Sequence, residues 1–163
     1  MAQDTLTRLV TLVAARLRER DYKLVTAESC TGGWVAEVMT SISGSSAWFE
    51  RGFVTYSDES KAELLGVRAE TLVRHGAVSE ETAREMAAGA LERSRAQIAV
   101  AITGIAGPTG GTKEKPVGMV CFAWAQRAGT PGSKTRRLDG DRESVRRQSV
   151  ITALEGLLEK LET

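Results

Sequence analysis

LVTAESCTGGWVAEVM, residues 24–39, joins a short apolar run to a serine, two glycines and a second apolar stretch at helical spacing. Leu24–Ala27 is rich in β-forming residues and predicts a buried strand. Thr31 and the glycines after it predict the start of a helix that extends to about Met39. A strand that turns directly into a helix is typical of an α/β fold, which places the corner residue, Ser29, at the rim of its sheet.

The rest of the chain continues this alternation of strands and helices. The other predicted helices are Asp4–Arg20, Glu59–Leu65, Arg68–Arg74, Glu80–Ser94 and Arg142–Leu161. The other predicted strands are Gly52–Tyr56, Gln97–Ile102, Pro116–Ala125 and Lys134–Leu138. Asp58 and Ser79 are predicted to cap the helices that follow them. The last two strands are joined too tightly for a parallel crossover, so we expect an antiparallel pair. We therefore predict one α/β domain over residues 1–163, with three layers and helices on both faces of a mixed sheet.

The composition excludes several classes of protein. The chain has 163 residues, of which 42% are hydrophobic and 26% charged, and its formal net charge is +1. This charge does not attract nucleic acid or anionic membranes, and no apolar run is long enough to span a bilayer. The N-terminal segment mixes charged and apolar residues unlike a secretory signal, so we expect a cytoplasmic protein. One histidine and two distant cysteines predict no metal site, and no motif indicates a cofactor.

Ser29 is the candidate nucleophile at the corner. The backbone N–H groups of Thr31, Gly32 and Gly33 would be unpaired donors at a helix start, where they can bind phosphate or stabilise an oxyanion. The alternative is that Ser29 only caps the helix and that the glycines only allow a tight turn. Cys30 is an alternative nucleophile, but it has no basic neighbour in the sequence, which favours a small buried thiol.

A serine hydroxyl needs a base to attack at neutral pH. The only histidine, His75, is typical of a turn or a helix C-terminus, which disfavours a Ser-His-Asp triad. Lys61 follows the predicted strand that ends at Tyr56, and partial dehydration there would lower its pKa enough for it to act as a neutral base. The alternative is a solvated lysine that pairs with a glutamate of its own helix. Tyr56 either packs on a sheet face or relays a proton.

A second glycine-rich segment, TGIAGPTGGTKEKP at residues 103–116, follows a buried strand, where open α/β sheets bind ligands. It matches neither the P-loop nor the dinucleotide-binding fingerprint. It either contacts a ligand or is a mobile connection without function. At the start of the last helix, Arg142 and Arg146 lie one turn apart, either as a phosphate clamp or as part of a charged helix face. Trp48 and Phe49 either stack on an aromatic ligand or belong to the core.

Four segments together resemble the CinA C-terminal domain family: AESCTGGWVAEVMT, GSSAWFERGFVTYSDESKAELLGV, HGAVSEETAREMA and TGIAGPTGGTKEKPVGMV. The resemblance runs from about residue 5 to residue 158. Stand-alone members of this family include nicotinamide mononucleotide deamidases. The resemblance therefore implies a Ser/Lys amidohydrolase that converts nicotinamide mononucleotide and water to nicotinate mononucleotide and ammonia, in pyridine nucleotide recycling. It also implies a homodimer.

The resemblance assigns roles to individual residues. Ser29 is the implied nucleophile, Lys61 the base and Tyr56 a further catalytic residue. The implied substrate-binding residues are Thr31, Gly32, Gly33, Ser46, Thr103, Gly104, Gly107, Arg142 and Arg146. Asp58 and Ser60 stand where relatives commonly carry Asn and Ala, and we expect the Asp58 carboxylate to raise the pKa of Lys61.

An alternative of another class is a non-catalytic nucleotide-binding or regulatory module. Such a module would use the same glycines and arginines, but it would not require Ser29 and Lys61 to meet. A DNA-processing factor is disfavoured because no basic stripe exceeds the acidic background. The expected partner is thus a small pyridine nucleotide and not a nucleic acid or a membrane.

Overall fold

The computed structural model describes the backbone of residues 2–163 and the side chains of residues 4–163. Its helices are α1 (Ala2–Arg20), α2 (Trp34–Met39), α3 (Asp58–Leu65), α4 (Ala69–His75), α5 (Glu80–Glu92) and α6 (Arg142–Leu161). Its strands are β1 (Leu24–Glu28), β2 (Phe49–Val54), β3 (Ile98–Gly104), β4 (Met119–Gln126) and β5 (Gly132–Arg137). None of the helices within residues 2–163 is both long and apolar enough to cross a membrane.

The strands form one mixed sheet in the order β2-β1-β3-β4-β5. Strand β1 pairs in parallel with both β2 and β3, whereas β4 pairs antiparallel with β3 and with β5. The prediction of a mixed sheet with an antiparallel last pair is confirmed. Because β1 and β3 run in the same direction, their carboxyl ends meet at one edge of the sheet.

The alternation of side chains along the central strands produces the three layers. One face of β1 and β3 carries Leu24, Ile98 and Ile102, which pack with α1, α2 and α6 in one core cluster. The other face carries smaller residues such as Ala27 and Ala99, which pack with α3 and α5 in a second cluster. The prediction of helices on both faces of the sheet is confirmed.

Two predicted boundaries near the corner were wrong. The second strand spans Phe49–Val54 and not Gly52–Tyr56, because its parallel pairing with β1 begins opposite Leu24 and the chain leaves the sheet after Val54. Helix α2 begins at Trp34 and not at Thr31, since the two glycines before it adopt positive φ angles of 60° and 101° that no helix contains.

The cap of α3 is also one residue earlier than predicted. Ser57, and not Asp58, accepts a hydrogen bond from the backbone N–H of Ser60, and the Ser60 hydroxyl accepts one from the N–H of Ser57. This reciprocal capping box fixes the start of α3, and Gly66 ends the helix in a left-handed conformation. Ser79 caps α5 as predicted.

Trp48 belongs to the core and does not stack on a ligand. Its side chain is buried, and its indole N–H donates to the carbonyl oxygen of Met39 at 2.8 Å. Phe49, the first residue of β2, packs half-buried against the same cluster. The core alternative for this pair is therefore confirmed.

The close contact between α5 and α3 predicts a stability effect at Gly89. A Cβ at this position would overlap with the carbonyl oxygen of Leu65, the last residue of α3. We expect Gly89→Ala to lower the free energy of unfolding by about 1–3 kcal/mol, because the clash outweighs the gain of about 1 kcal/mol in helix propensity. Urea denaturation measures the change. Gly129→Ala, at an exposed position with no neighbour within 4 Å, is the control, and an unchanged Gly89→Ala would contradict this packing.

Candidate active site

The corner after β1 is held at the edge where β1 and β3 end. The backbone N–H of Ser29 donates to the carbonyl oxygen of Ile102 in β3 at 3.0 Å, and the Ser29 carbonyl accepts from the N–H of Gly32 at 3.0 Å. Ser29 is 7% exposed. Its hydroxyl is thus presented at the rim of the sheet by a backbone that is fixed on both sides.

Lys61 reaches this hydroxyl from α3. Its Nζ atom lies 3.1 Å from Ser29 Oγ, 2.8 Å from the carbonyl oxygen of Thr55 and 3.5 Å from that of Tyr56. The residue is 1% exposed, so the alternative of a solvated helix lysine is wrong. Ser29 does not cap α2 with its side chain either, because the cap position is Gly33 and no side chain caps the helix from there.

Burial lowers the pKa of Lys61 below its usual value of 10.5. The charge of Asp58 acts in the opposite direction, as expected, but it is outweighed by the loss of water around the amine. No carboxylate among residues 4–163 forms an ion pair with Nζ. A neutral amine has two N–H donors and one lone pair. In the neutral form, donation of the two N–H groups to the carbonyl oxygens leaves the lone pair for the Ser29 hydroxyl, to which Nζ donates when it carries three protons.

The protonation of Cys30 and the position of His75 disfavour both alternative catalytic groups. Burial raises the pKa of the Cys30 thiol to about 12, so this cysteine is not a thiolate at neutral pH. His75 ends α4, and its Nδ1 atom lies 3.5 Å from a carboxylate oxygen of Glu81, outside the cavity that contains Ser29. The expectation that His75 is a helix C-terminal residue is confirmed.

Ser29 and Lys61 open into a cavity of about 240 Å³. Seven of the predicted site residues line it together: Ser29, Tyr56, Lys61, Thr103, Gly104, Gly107 and Arg142. No carboxylate is among the lining residues, and one of them, Arg142, carries a guanidinium that stays charged. This charge balance favours a ligand with an anionic group.

Tyr56 and Arg142 join across the mouth of the cavity. Tyr56 is 60% exposed, so the alternative that it packs on a sheet face is wrong. Its hydroxyl accepts a hydrogen bond from Arg142 Nη2 at 3.0 Å, and Arg142 Nη1 donates to the carbonyl oxygen of Gly107 at 2.7 Å. Within the described part of the chain, no acidic residue pairs with this guanidinium. Both of its acceptors are neutral.

The glycine-rich loop is an ordered wall of the cavity. Its backbone exchanges hydrogen bonds with β4, since Ile105 N–H donates to Met119 and Gly118 N–H donates to Ile105. The Thr103 hydroxyl donates to the carbonyl oxygen of Ala77 at 2.8 Å, and this hydrogen bond ties the end of β3 to the segment between α4 and α5. Gly107 has a φ of 87°, which favours glycine.

Thr31, Gly32 and Gly33 do not line this cavity. The Thr31 hydroxyl donates to a carboxylate oxygen of Glu28 at 2.6 Å, and the N–H of Gly32 is taken by Ser29. Because α2 begins three residues later than predicted, these positions form a turn on the far side of Ser29. The two glycines allow the positive φ angles that this turn requires.

Ser46 and Arg146 do not line the cavity either. Ser46 lies in a short 3₁₀ turn, Ser45–Ala47, at the opposite end of the sheet, because α2 carries the chain back to the start of β2. Arg146 lies one turn after Arg142 in α6, but its guanidinium donates to the carbonyl oxygens of Cys30 and Thr31 at 3.0 and 3.2 Å. The structure therefore does not bring the two arginines together as a clamp.

Glu28 is the residue at this site that sequence reasoning missed. Its carboxylate is 1% exposed and accepts hydrogen bonds from the Thr31 hydroxyl and from the N–H groups of Val35 and Ala36. An acidic residue directly after an apolar strand and before the serine was the available signal. Among residues 4–163, no cluster of His, Cys, Asp and Glu side chains has the arrangement of a metal site.

A family model of the CinA C-terminal domain matches residues 6–161 of the chain. The chain belongs to the CinA C-terminal domain family. A relative from this group, the nicotinamide-nucleotide amidohydrolase PncC of Escherichia coli strain K12, is 55% identical over 157 residues, 96% of this chain and 95% of its own length. The protein of the same name from Pseudomonas putida is 49% identical over 156 residues, 96% of this chain and 97% of its own.

Solved structures of CinA-related proteins have the same fold. The competence/damage inducible protein CihA from Agrobacterium tumefaciens superposes with a TM-score of 0.93 at 47% identity, covering 98% of this chain and 96% of its own. With amidohydrolases this similar over nearly the whole length of both chains, this CinA-family protein is an amidohydrolase.

The lowered pKa of Lys61 predicts how stability depends on pH. Between the folded-state pKa and the unfolded value of 10.5, the unfolded chain binds more protons, so the folded state gains stability as pH rises and loses it as pH falls. We expect wild type to gain stability relative to Lys61→Met as the pH rises toward 10.5, by at most about 1.4 kcal/mol per pH unit. Urea denaturation at several pH values measures the difference. A pH-independent difference would show that burial does not lower this pKa.

Proposed function

We propose that this CinA-family amidohydrolase hydrolyses the carboxamide of nicotinamide mononucleotide to nicotinate mononucleotide and ammonia, with Ser29 as nucleophile and Lys61 as base. The observation that carries the proposal is the 3.1 Å contact between a buried lysine amine and the serine hydroxyl. The substrate is supported by the names of the relatives, which are nicotinamide-nucleotide amidohydrolases. The anion-favouring lining of the cavity agrees with a nucleotide.

The reaction begins with neutral Lys61. Its lone pair accepts the Ser29 proton while Oγ attacks the carboxamide carbon, and the carbonyl π electrons move to the oxygen. The ammonium that forms keeps its hydrogen bonds to the carbonyl oxygens of Thr55 and Tyr56. The pyridinium ring withdraws electrons from the carboxamide. Its positive charge also disfavours the ammonium form of the nearby lysine, so the substrate reinforces the lowered pKa of its base.

The glycine-rich loop supplies the donors for the oxyanion in this proposal. At the corner, the N–H groups of Ser29 and Gly32 are already used, whereas the N–H of Cys30, which lines the cavity, has no acceptor in another described residue and is a further donor. Ala106 and Gly107 line the cavity, and their N–H groups have no acceptor among the described residues. Arg142 holds this part of the loop through the Gly107 carbonyl. One such donor is worth about two to three powers of ten in rate in a comparable hydrolase.

The second half of the reaction regenerates the serine. The proton on Lys61 passes to the amide nitrogen, the carbon–nitrogen bond breaks, and ammonia leaves an acyl-enzyme on Ser29. Water then attacks the acyl carbon and gives a proton to Lys61, which returns it to Oγ as nicotinate mononucleotide departs. Tyr56, held by Arg142 at the mouth, is the second group that can donate a proton to the leaving nitrogen.

We assign the phosphate of the substrate to Arg142. This guanidinium lines the cavity and is bound only to the Tyr56 hydroxyl and the Gly107 carbonyl, so a phosphate dianion would be its first anionic partner. The wider proposal is a cytoplasmic homodimer that works in pyridine nucleotide recycling without a metal or another cofactor. Size-exclusion chromatography tests the dimer.

Loss of either member of the pair tests catalysis against the non-catalytic alternative. We expect Ser29→Ala and Lys61→Ala each to lower kcat for ammonia release from nicotinamide mononucleotide by at least about a thousandfold, because each removes a group that acts in every step. Binding of the nucleotide, measured by calorimetry, should remain. A wild type that binds amide nucleotides but never releases ammonia would instead favour a nucleotide-binding module.

Removal of Arg142 tests the phosphate assignment. We expect Arg142→Met to lower kcat/KM for nicotinamide mononucleotide about 10- to 100-fold, the usual worth of a charge-assisted hydrogen bond, mainly through KM. Nicotinamide riboside, which lacks the phosphate, is the matched substrate, and its kcat/KM should fall by less, because only the contacts of Arg142 with Gly107 and Tyr56 are lost for it. An equal loss on both substrates would contradict the assignment.

A further inference from the structure

The turn between β1 and α2 is held by two charged groups, one buried and one half-buried, that do not line the cavity. The turn comprises residues 29–33, and both groups belong to residues outside it. Helix α2 begins after Gly33, which has no side chain with which to cap it. The peptide N–H groups at the start of α2 and the carbonyl groups of the turn therefore need partners from elsewhere.

Glu28 supplies the anionic partner. One carboxylate oxygen accepts from Thr31 Oγ1 at 2.6 Å and from Val35 N–H at 2.9 Å, and the other accepts from Ala36 N–H at 3.0 Å. The negative charge lies at the positive end of the helix dipole, where a carboxylate is stabilised. Because Glu28 directly precedes Ser29, this contact sets the direction in which the chain leaves β1.

Arg146 supplies the cationic partner from α6. Its Nε donates to the carbonyl oxygen of Cys30 at 3.0 Å, and its Nη2 donates to that of Thr31 at 3.2 Å. The guanidinium also lies over the Trp34 ring, 5.4 Å from the ring centroid. A planar guanidinium can hold two adjacent carbonyls in a fixed orientation, whereas a lysine ammonium cannot reproduce this fork.

We infer that Glu28 and Arg146 are positioning residues that brace the turn and thereby hold Ser29 Oγ at 3.1 Å from Lys61 Nζ. The inference rests on the proposed Ser/Lys reaction. It gives Arg146 a role different from the phosphate clamp that its spacing from Arg142 suggests. Residues that only position the nucleophile affect the rate of bond formation and leave the affinity for the nucleotide unchanged.

Arg147 is a matched control for Arg146. It is the next residue of α6, its guanidinium also lies 5.4 Å from the centroid of the Trp34 ring, and it pairs with Glu143 one turn earlier. None of its hydrogen bonds reaches the turn. Arg147→Lys therefore makes the same replacement of a guanidinium by an ammonium beside the Trp34 ring, but it removes no hydrogen bond to the turn.

The experiment compares Arg146→Lys, Glu28→Gln and Arg147→Lys with wild type. We expect Arg146→Lys and Glu28→Gln to lower kcat for nicotinamide mononucleotide about 10- to 100-fold, the effect of a small misplacement of a reacting group. KM, and the inhibition constant of nicotinate mononucleotide, should stay within about threefold of wild type. Arg147→Lys should retain wild-type kinetics. Thermal unfolding of each variant identifies any that fails to fold. If Glu28→Gln, whose substitution lies in β1, does not fold, the test rests on Arg146→Lys, whose substitution lies in α6.

The outcomes separate this inference from the proposed function. A raised KM and inhibition constant with unchanged kcat for Arg146→Lys would overturn the inference and restore the phosphate role. Unchanged kinetics in a folded Arg146→Lys would overturn it as well. If wild type releases no ammonia, the proposed substrate is wrong. The brace is then tested by the rate at which a fluorophosphonate labels Ser29 in wild type and in the variants, with Ser29→Ala as the unreactive control. An unlabelled wild type would overturn both proposals, since each needs an activated serine.

Discussion

The site is built around a lysine amine that is buried against a serine hydroxyl, with no carboxylate of residues 4–163 paired to it. Withdrawal of Lys61 from water lowers its pKa, and only the neutral amine has a lone pair to take the serine proton. The fold offsets the loss of water with the carbonyl oxygens of Thr55 and Tyr56, which satisfy the N–H donors but add no negative charge. A carboxylate in their place would favour the ammonium and remove the base.

The sheet topology is what makes this contact possible across 32 residues of chain. Parallel pairing of β2 with β1 brings the carboxyl ends of both strands to one edge, so the turn that follows β1 and the helix that follows β2 meet there. The capping box of Ser57 fixes where α3 begins, and the absence of a side chain at Gly89 lets α5 approach its end. The amine is thus positioned by packing on several elements.

Charges around the site divide into two groups with different surroundings. Arg142 and the amine of Lys61 line the cavity, where no lining residue is a carboxylate, so the charge of Arg142 suits an anionic substrate. Glu28 and Arg146 lie behind the nucleophile, where Glu28 accepts from the first N–H groups of α2 and Arg146 donates to two carbonyl oxygens of the turn. The first pair is available to a ligand. The second is already bound to the protein and gives the serine a fixed backbone.

The order of elements, the strand-to-helix corner at Ser29, the choice of Lys61 as a possible base and the family could all be predicted from the sequence, because periodicity, turn residues and short motifs are local properties of the chain. The burial of Lys61 against Ser29, the exposure of Tyr56 and the carbonyl partners of Arg146 depend on packing between distant segments. Spacing of one helical turn places Arg142 and Arg146 on the same side of α6, but their partners come from segments far away in the chain. Those partners, and the water they exclude, exist only once the layers have packed.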